Sequence, residues 1–301
     1  MNPWLPTAPC TPLACAGHDG RARGRPAAVA LLLAGCTLVL AGALGIPFVL
    51  MLGAARRERL IRRWAYGVVR AFGVRVRVIG RPVPPDGTTG EPGTLVVANH
   101  ISWLDIPLVA AVFPGRMLAK SEIRDWPLLG RLAAVGGTLF VRRDRLRSLP
   151  TTVGDIAAAL RGGSRVVAFP EGTTWCGRGG GRFGPAVFQA AIDAGATVRP
   201  VRITYRTAPP CSTPAANRPS AHGGSAPAEH HVPAGAAAFV GDDPLLTSLW
   251  RVVTAAGLTA EIRVLPRIPA ERRPDRRTLA RLAQTAVANE SANRSPESVH
   301  H

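Results

Sequence analysis

The sequence predicts a layered α/β fold, namely an αβα domain with a central mixed sheet of about seven strands, preceded by an N-terminal membrane helix segment. Short apolar runs alternate with helical patterns from residue 74 onward, which is typical of layered α/β domains. The chain has 301 residues and 47% hydrophobic content, which is ample for a sizeable core. An uncharged apolar stretch, residues 27–53, comes before this pattern and predicts the membrane segment.

The N-terminal region divides into a polar and an apolar part. Residues 1–26 are proline-rich and end in three arginines, which predicts a disordered N-terminus. Residues 27–53 form, as a helix, a rod of about 40 Å, longer than the roughly 30 Å hydrocarbon core of a bilayer. Three interpretations stay open: a spanning helix, a re-entrant hairpin broken near Gly45-Ile46-Pro47, and a signal peptide cut after residues 41–43. Arginines flank both ends, so the positive-inside rule selects no orientation.

A basic amphipathic helix is predicted next, over residues 55–72. Apolar side chains that include Trp64 and Tyr66 alternate there with Arg56, Arg57, Arg59, Arg62 and Arg63. Such a helix can lie on a lipid surface, with its arginines on anionic headgroups and its aromatic rings at the interface. The alternative is a core helix with a solvated arginine face. The position directly after the apolar stretch favours the membrane, so residues 27–72 are interpreted as a membrane anchor with its amphipathic helix.

The folded domain is predicted over residues 73–290. Strands are predicted near 74–79, 94–98, 116–119, 137–141, 164–169, 197–204 and 260–265. Helices are predicted near 105–113, 125–135, 148–161, 184–195, 244–256 and 275–290. A stretch rich in Pro, Ser, Ala and Gly predicts a loop insert over 207–234, and residues 291–301 are interpreted as a disordered tail.

The charge balance narrows the classes of partner. The chain has 37 basic and 19 acidic residues, a formal net charge of +18, which suits nucleic acid or anionic lipid. The basic residues are scattered, aromatic residues make up only 5%, and the sequence has no helix-turn-helix, zinc-finger or RNA-binding signature. We therefore expect membrane lipids as partners and no nucleic acid.

The cysteines predict neither a disulfide framework nor a metal site. Their count is odd, no C-x-x-C pair is present, and no histidine stands at ligand spacing. They are scattered over segments predicted to be disordered or membrane-bound. The five are Cys10, Cys15, Cys36, Cys176 and Cys211. No metal is expected from this pattern. The lack of a disulfide framework suits the reducing, cytosolic face of the membrane.

A candidate catalytic base lies in the run Asn-His-Ile-Ser-Trp-Leu-Asp, residues 99–105, directly after an apolar run that predicts a buried strand. On an ideal helix His100 and Asp105 would point about 140° apart, so they cannot share a helical face. Pro107 instead predicts a helix that starts near Asp105, with His100 in the preceding turn. The turn can then fold the carboxylate back onto the imidazole, which would fix the tautomer of a general base. The alternative is a loop histidine with an ordinary helix cap.

Histidine usage supports the first interpretation. All histidines except His100 fall in segments predicted to be disordered, which leaves His100 as the one available to a folded core. The others are His18, His222, His230, His231, His300 and His301.

A second motif, Phe-Pro-Glu-Gly-Thr at residues 169–173, follows about seventy residues later. The two motifs, in this order and spacing, resemble those of the glycerolipid acyltransferases typified by 1-acyl-sn-glycerol-3-phosphate acyltransferase, the PlsC-like family. Two weaker blocks, Gly-Thr-Leu-Phe-Val-Arg-Arg at 137–143 and Val-Arg-Pro-Val at 198–201, fall where that family would have them. The resemblance covers roughly residues 55 to 290.

The resemblance implies transfer of a fatty acyl group from acyl-CoA or acyl carrier protein to lysophosphatidic acid, giving phosphatidic acid. His100 would take the proton of the acceptor hydroxyl while Asp105 holds the ring. No cofactor is implied, because the thioester co-substrate is already activated, and nothing marks Ser102 or Cys176 as a nucleophile. The enzyme would work at the cell membrane with its catalytic domain on the cytoplasmic side. The oligomeric state stays open.

Two alternative functions are also compatible with the sequence. One is the same chemistry on another lyso-lipid, such as a lyso-ornithine lipid. The other, from a different class, is a non-catalytic membrane or nucleic-acid-binding protein. A binding module has no need of a histidine–carboxylate pair, so His100 and Asp105 argue against the second alternative.

The resemblance also assigns acceptor-binding residues. Glu171, followed by Gly172 and Thr173, would bind or orient the glycerol portion of the acceptor. Arg143 matches the family's motif arginine and would bind phosphate, for which the planar guanidinium is well suited. Its neighbour Arg142 would point to the opposite face of a strand, so only one of the two can face the pocket.

One motif position departs from the family pattern. The family's third block usually continues Gly-Thr-Arg, but this chain has Thr174 in place of the arginine. Arg178 or Arg182, in the glycine-rich loop 177–182, could supply the missing cation; the alternative is a surface loop with solvated charges. Lys120, the single lysine of the chain, resembles a lysine common in the family after the corresponding strand.

Overall fold

A mixed β-sheet lies at the centre of the domain. The computed structural model describes residues 6–18, 20–80, 93–126, 129–142, 146–207, 232–269 and 275–289. In chain order the strands are β1 (Arg75–Ile79), β2 (Thr94–Ala98), β3 (Arg116–Lys120), β4 (Leu139–Val141), β5 (Val166–Ala168), β6 (Thr197–Thr207), β7 (Val232–Pro233), β8 (Thr259–Val264) and β9 (Ile268–Pro269). The seven longer strands confirm the predicted mixed sheet.

The order of the strands is β1-β8-β6-β2-β5-β3-β4, and the short strands β7 and β9 both pair with β6. Strands β6, β2, β5, β3 and β4 are parallel to one another. Strand β8 runs antiparallel to β6, and β1 pairs parallel with β8. The carboxyl ends of the five parallel strands therefore meet at one edge of the sheet.

Ten helices are assigned in the described part of the chain. They are α1 (Pro12–Cys15), α2 (Arg25–Leu44), α3 (Ile46–Leu50), α4 (Ala54–Ala71), α5 (Asp105–Val112), α6 (Leu129–Val135), α7 (Leu149–Arg161), α8 (Ala186–Asp193), α9 (Leu245–Thr254) and α10 (Arg276–Asn289). Short 3₁₀ helices lie at Ser121–Asp125, Leu146–Ser148 and Gly235–Ala237.

Strand β2 shows why the fold has three layers. Val96 and Ala98 pack into a core with residues of α2, α4, α5 and α9, whereas Leu95 and Val97 pack into a second core with α7, α8 and α10. A strand covered on both faces reads as a continuous apolar run instead of an alternating one. The run Leu-Val-Val-Ala is therefore explained by its central position, where all four side chains are fully buried.

The N-terminal segment differs from the disorder predicted for residues 1–26. Its described part contains α1, and Cys10 is buried. The Arg23 guanidinium donates hydrogen bonds to the carbonyls of Val253 (2.9 Å), Ala255 (2.7 Å) and Gly73 (2.7 Å). Basic side chains commonly satisfy carbonyls at helix ends in this way. Arg23, which the sequence suggested was part of a disordered end, thus anchors the N-terminal segment to the end of α9 and to the residue after α4 and its cap.

Helix α2 carries the predicted membrane segment. By length and composition it is apolar enough to cross a membrane. It ends at Leu44 and α3 begins at Ile46, so the helix is interrupted at Gly45, the position of the break in the re-entrant interpretation. Large apolar side chains near this break are exposed, including Leu44, Phe48 and Met51.

Helix α4 covers the predicted amphipathic stretch, and part of its apolar face is inside the protein. Ala65, Val68 and Val69 are buried, and the helix packs against α2 and α5. The Trp64 indole donates to the carbonyl of Leu38 on α2 at 2.9 Å, so this ring is held against the apolar helix. The buried residues fit the alternative of a core helix, whereas Leu60 and Tyr66 are exposed, so docking of α4 on lipid stays a prediction. The predicted tail 291–301 and residues 208–231 of the insert lie outside the described residues.

Candidate active site

The topology brings most of the predicted site residues to one edge of the sheet. His100 follows β2, Glu171 follows β5, Lys120 ends β3 and Arg142 follows β4. These four strands are parallel, and the carboxyl edge of a parallel sheet is where α/β proteins bind their ligands. The register pairs Lys120 with Val141, so the two cations are neighbours, about two and three strand spacings, or roughly 10 and 14 Å, from the end of β2.

The turn after β2 is fixed on both sides. The Asn99 side chain forms a peptide-like pair with Ile203 of β6, donating to its carbonyl at 2.9 Å and accepting from its N–H at 2.8 Å. The His100 carbonyl accepts the N–H of Trp175 at 2.7 Å. The backbone that carries the histidine is therefore held by β6 and by the loop after β5.

His100 and Asp105 are in contact. The imidazole Nδ1 lies 2.8 Å from Asp105 Oδ2, and the carboxylate is fully buried at the first residue of α5. The same Oδ2 accepts the backbone N–H groups of Ile101 (2.6 Å) and Ser102 (2.9 Å). The turn thus folds the carboxylate back over residues 100–102, and the N–H groups compensate for its burial.

Tyr205 holds the second oxygen of this carboxylate, and sequence reasoning missed it. Its hydroxyl donates to Asp105 Oδ1 at 2.7 Å from β6, the neighbour of β2. Burial, and then the charge of Asp105, raises the pKa of Tyr205 well above its ordinary value, so the hydroxyl stays protonated and donates. The signal available was one of only two tyrosines, at a position that continues the alternating apolar face of Val201 and Ile203.

These contacts set the orientation of the His100 ring. With Nδ1–H directed at a carboxylate, the lone pair is on Nε2, which faces away from Asp105. The ring stacks on Phe169 with centroids 4.2 Å apart and planes at 19°, and its side chain is 19% exposed. The imidazole is therefore fixed on two sides and accessible on a third, as a general base requires.

Glu171 connects two loops of the site. Oε2 accepts the N–H of His100 at 2.7 Å, and Oε1 accepts the N–H of Gly181 at 3.0 Å. Burial raises the pKa of Glu171 to about 7, against the two hydrogen bonds that lower it. Gly172 has a φ of 75°, a conformation that glycine adopts without strain and that turns the chain back. Glu171 thus positions the backbone of the base; its predicted contact with the acceptor stays a prediction.

The departure at Thr174 has a structural counterpart. Its hydroxyl donates a hydrogen bond to the carbonyl of Phe239, whose N–H in turn donates to the carbonyl of Ile101 at 3.0 Å. This side chain fastens the loop to the segment before α9. Thr173 beside it is half-buried.

The predicted cations are solvated. Lys120, Arg142 and Arg178 are all exposed. Nη1 of Arg178 lies 3.5 Å from the carbonyl of Ala14, so this arginine leans toward the N-terminal segment. Arg143, the motif arginine, lies outside the described residues. Lys120 and Arg142 form a positive rim at the β3–β4 end of the sheet's carboxyl edge.

A histidine held by a buried carboxylate at the open edge of an α/β sheet defines an enzyme built to take a proton from its substrate. Comparison with known proteins gives the family. Residues 75–204 match the family model described as Acyltransferase. The chain is 37% identical over 232 residues to the lyso-ornithine lipid O-acyltransferase of Pseudomonas aeruginosa, covering 77% of this chain and 78% of that protein.

Two further matches agree with it. The chain is 34% identical over 212 residues to the 1-acyl-sn-glycerol-3-phosphate acyltransferase of Neisseria gonorrhoeae, covering 68% of this chain and 70% of that one. The crystal structure of the acyltransferase PlsC from Thermotoga maritima has the same fold, with a TM-score of 0.61 at 18% identity over 90% of this chain and 97% of that chain. The chain belongs to the PlsC-like acyltransferase family, and it is an acyl-transfer enzyme.

Proposed function

We propose that the enzyme moves a fatty acyl group from acyl-CoA or acyl carrier protein to the free hydroxyl of lysophosphatidic acid, giving phosphatidic acid. The observation that carries the proposal is the 2.8 Å contact between His100 Nδ1 and Asp105 Oδ2, which leaves Nε2 as the base. The thioester supplies the activation, so the reaction needs no cofactor.

In the proposed reaction His100 Nε2 accepts the hydroxyl proton as the acceptor oxygen attacks the thioester carbonyl. The tetrahedral intermediate then collapses, the carbon–sulfur bond breaks, and the imidazolium returns the proton to the departing sulfur. The products are an ester and a free thiol. Asp105 stabilises the imidazolium while Tyr205 and two backbone N–H groups hold the carboxylate in place. General-base help of this kind contributes about 10²- to 10⁴-fold, or roughly 3 to 5 kcal/mol of barrier.

The positive rim supports an acceptor with a phosphate. Lys120 and the exposed Arg142 lie at the carboxyl ends of adjacent strands, and Arg143 follows at the motif position. Arginine binds phosphate oxygens through two parallel N–H groups, whereas lysine contributes a point charge. The name of the Neisseria relative supports the same acceptor.

A lyso-ornithine lipid is the second candidate acceptor. Two observations favour it: the name of the Pseudomonas relative, and Thr174, which is bonded to a backbone carbonyl where the family motif continues with a cation. The acceptor would then offer a carboxylate and an ammonium group in place of a phosphate. The hydroxyl chemistry at His100 would be unchanged.

An acceptor panel distinguishes the two candidates. The purified protein is given labelled acyl-CoA, or acyl carrier protein loaded with the same chain, together with lysophosphatidic acid, lyso-ornithine lipid or lysophosphatidylcholine in mixed vesicles. The proposal expects kcat/KM for lysophosphatidic acid at least tenfold above that for the other two. The reverse order would assign the lyso-ornithine reaction, and no transfer to any of them would refute both.

We also propose that the enzyme docks on the cytoplasmic side of the cell membrane through α2, α3 and the exposed apolar side chains around Met51. A surface position spares the enzyme from extracting an acyl chain into water, at about 0.8 kcal/mol per CH₂. Phe48→Glu and Met51→Glu should each weaken sedimentation with anionic vesicles. Leu149→Glu, a matched change at an exposed leucine on the opposite layer, should not. Equal binding by all three proteins would refute docking through this surface.

A further inference from the structure

Three cysteines from two distant parts of the chain meet beside the site. The sulfur atoms of Cys10, Cys15 and Cys176 all lie within 4.8 Å of one another, and all three are free thiols. The first two belong to the N-terminal segment at helix α1, and Cys176 lies in the loop that follows Glu171. The sequence predicted no metal site, in part because Cys10 and Cys15 fall in a segment predicted to be disordered and in part because the cysteines show no metal-ligand spacing. The structure instead shows an ordered segment with helix α1 and a buried Cys10, so disorder no longer argues against a metal site.

We propose that Cys10, Cys15 and Cys176 bind a thiophilic divalent ion, zinc in the cell, that ties the N-terminal segment to the active-site loop. Three cysteine sulfurs suit zinc, which in proteins is most often tetrahedral with Zn–S distances of about 2.3 Å. That geometry places bound sulfurs roughly 3.8 Å apart, so the thiols have to approach by about 1 Å at most.

The surroundings of the three thiols fit a metal site with one open position. Cys10 is buried and packs with Ala238 and Val240, while Cys15 and Cys176 are half-buried, which leaves a solvent-facing side for a fourth ligand such as water. Burial raises the pKa of Cys10 to about 11, whereas at Cys176 the N–H of Arg178 and the neighbouring thiols outweigh burial and lower the pKa below its ordinary value. The thiolate is the form of cysteine that binds metal.

Metal binding would hold the N-terminal segment against the part of the site that is predicted to bind the acceptor. Pro6, at the start of the described N-terminal segment, lies against Gly172 of the second motif so closely that a Cβ on this glycine would meet the proline ring at 2.5 Å. Nη1 of Arg178 reaches the carbonyl of Ala14 in the same segment. A metal ion at the three sulfurs would hold this segment over residues 171–173, and loss of the ion would release it from them. The metal-binding claim is independent of the proposed acceptor.

Cobalt binding tests the site directly. The full chain, with Cys36 and Cys211 replaced by serine so that only the three clustered thiols remain, is kept reduced and titrated with Co²⁺ without oxygen. We expect one equivalent to bind with a thiolate-to-cobalt charge-transfer band, and one equivalent of Zn²⁺ to displace it. Further Cys15→Ser or Cys176→Ser substitution should abolish the band and weaken Zn²⁺ binding at least tenfold.

Two controls keep this test decisive. Cys15 is half-buried, so Cys15→Ser should melt at the temperature of its metal-free parent, which shows that band loss does not come from misfolding. The Cys36→Ser single variant, with its substitution on the exposed surface of α2, should bind metal like the unmodified protein. Absence of the band, an equal band after Cys15→Ser, or a disulfide between two of the three cysteines in reduced protein would overturn the site.

Limited proteolysis tests, separately from metal binding, whether the metal holds the N-terminal segment on the domain. Trypsin can cut after Arg23 only when the N-terminal segment leaves the domain, since the Arg23 side chain is bonded to three carbonyls. Zn²⁺ should slow this cleavage at least severalfold in the protein with the three thiols, and leave it unchanged after Cys15→Ser. Metal binding that leaves trypsin cleavage unchanged would show that the metal does not hold the N-terminal segment, whatever the acceptor proves to be.

Discussion

The two halves of the sheet's carboxyl edge differ in how firmly they hold their side chains. At β2 and β5, His100, Asp105 and Glu171 have defined partners, and both carboxylates are buried. At β3 and β4, Lys120 and Arg142 are exposed to solvent. Fixed geometry is needed where a proton moves, whereas a headgroup can be held by mobile cations. Substitutions in the first half should therefore lower kcat, and those in the second should raise the acceptor KM.

The largest expected effect is at His100. His100→Ala removes the base and should cut acyl transfer by at least two orders of magnitude, with the circular dichroism spectrum and vesicle binding unchanged. Turnover is measured with labelled acyl-CoA at saturating acceptor. Near-normal turnover in a folded variant would place the chemistry elsewhere.

Glu171 should show its effect in the pH dependence of stability. Because its pKa is raised from 4.5 to about 7 in the folded protein, the folded state binds the proton more tightly than the unfolded state. The free energy of unfolding should therefore fall as pH rises from about 4.5 to 7, by roughly 3 kcal/mol at most from this group. Glu171→Gln has no such titration, so the difference between the two proteins, measured by denaturant unfolding from pH 5 to 8, should show this slope. A constant difference would mean that the carboxylate is not penalised by burial.

The smallest effect is expected at the positive rim. Arg142→Ala should raise the KM for a phosphate-bearing acceptor by roughly three- to tenfold and leave the donor KM unchanged, because an exposed ionic contact is screened by water. Arg161→Ala, at an exposed position at the carboxyl end of α7, is the matched control and should change neither constant. A rise in the donor KM instead would assign Arg142 to the coenzyme side.

The contrast between the halves also explains what the sequence could predict. The bounds of β2 and the start of α5 follow from the apolar run 95–98 and from Pro107, which are local signals. The contact of His100 with Asp105 follows from the same turn. The approach of residues so close in sequence needs no knowledge of distant packing.

Contacts between distant segments left no such signal. Tyr205 reaches Asp105 only because β6 lies beside β2. The order of strands in a sheet cannot be predicted from local sequence periodicity. The N-terminal segment is held by Arg23 on backbone carbonyls, which any sequence offers, so its composition predicts disorder instead. The apolar face of α4 fits a membrane surface and a protein core equally well, and only the position of α2 shows which part of it is buried.

A double-mutant comparison tests the central claim that His100 and Asp105 act as one unit. Asp105→Asn alone should lower kcat at least tenfold, because the amide cannot stabilise the imidazolium. In the His100→Ala background the same change has no base left to orient, so the double variant should turn over within about twofold of His100→Ala, per folded molecule. A further loss of tenfold or more in the double variant would show that Asp105 acts independently, and would contradict the pair as the catalytic base.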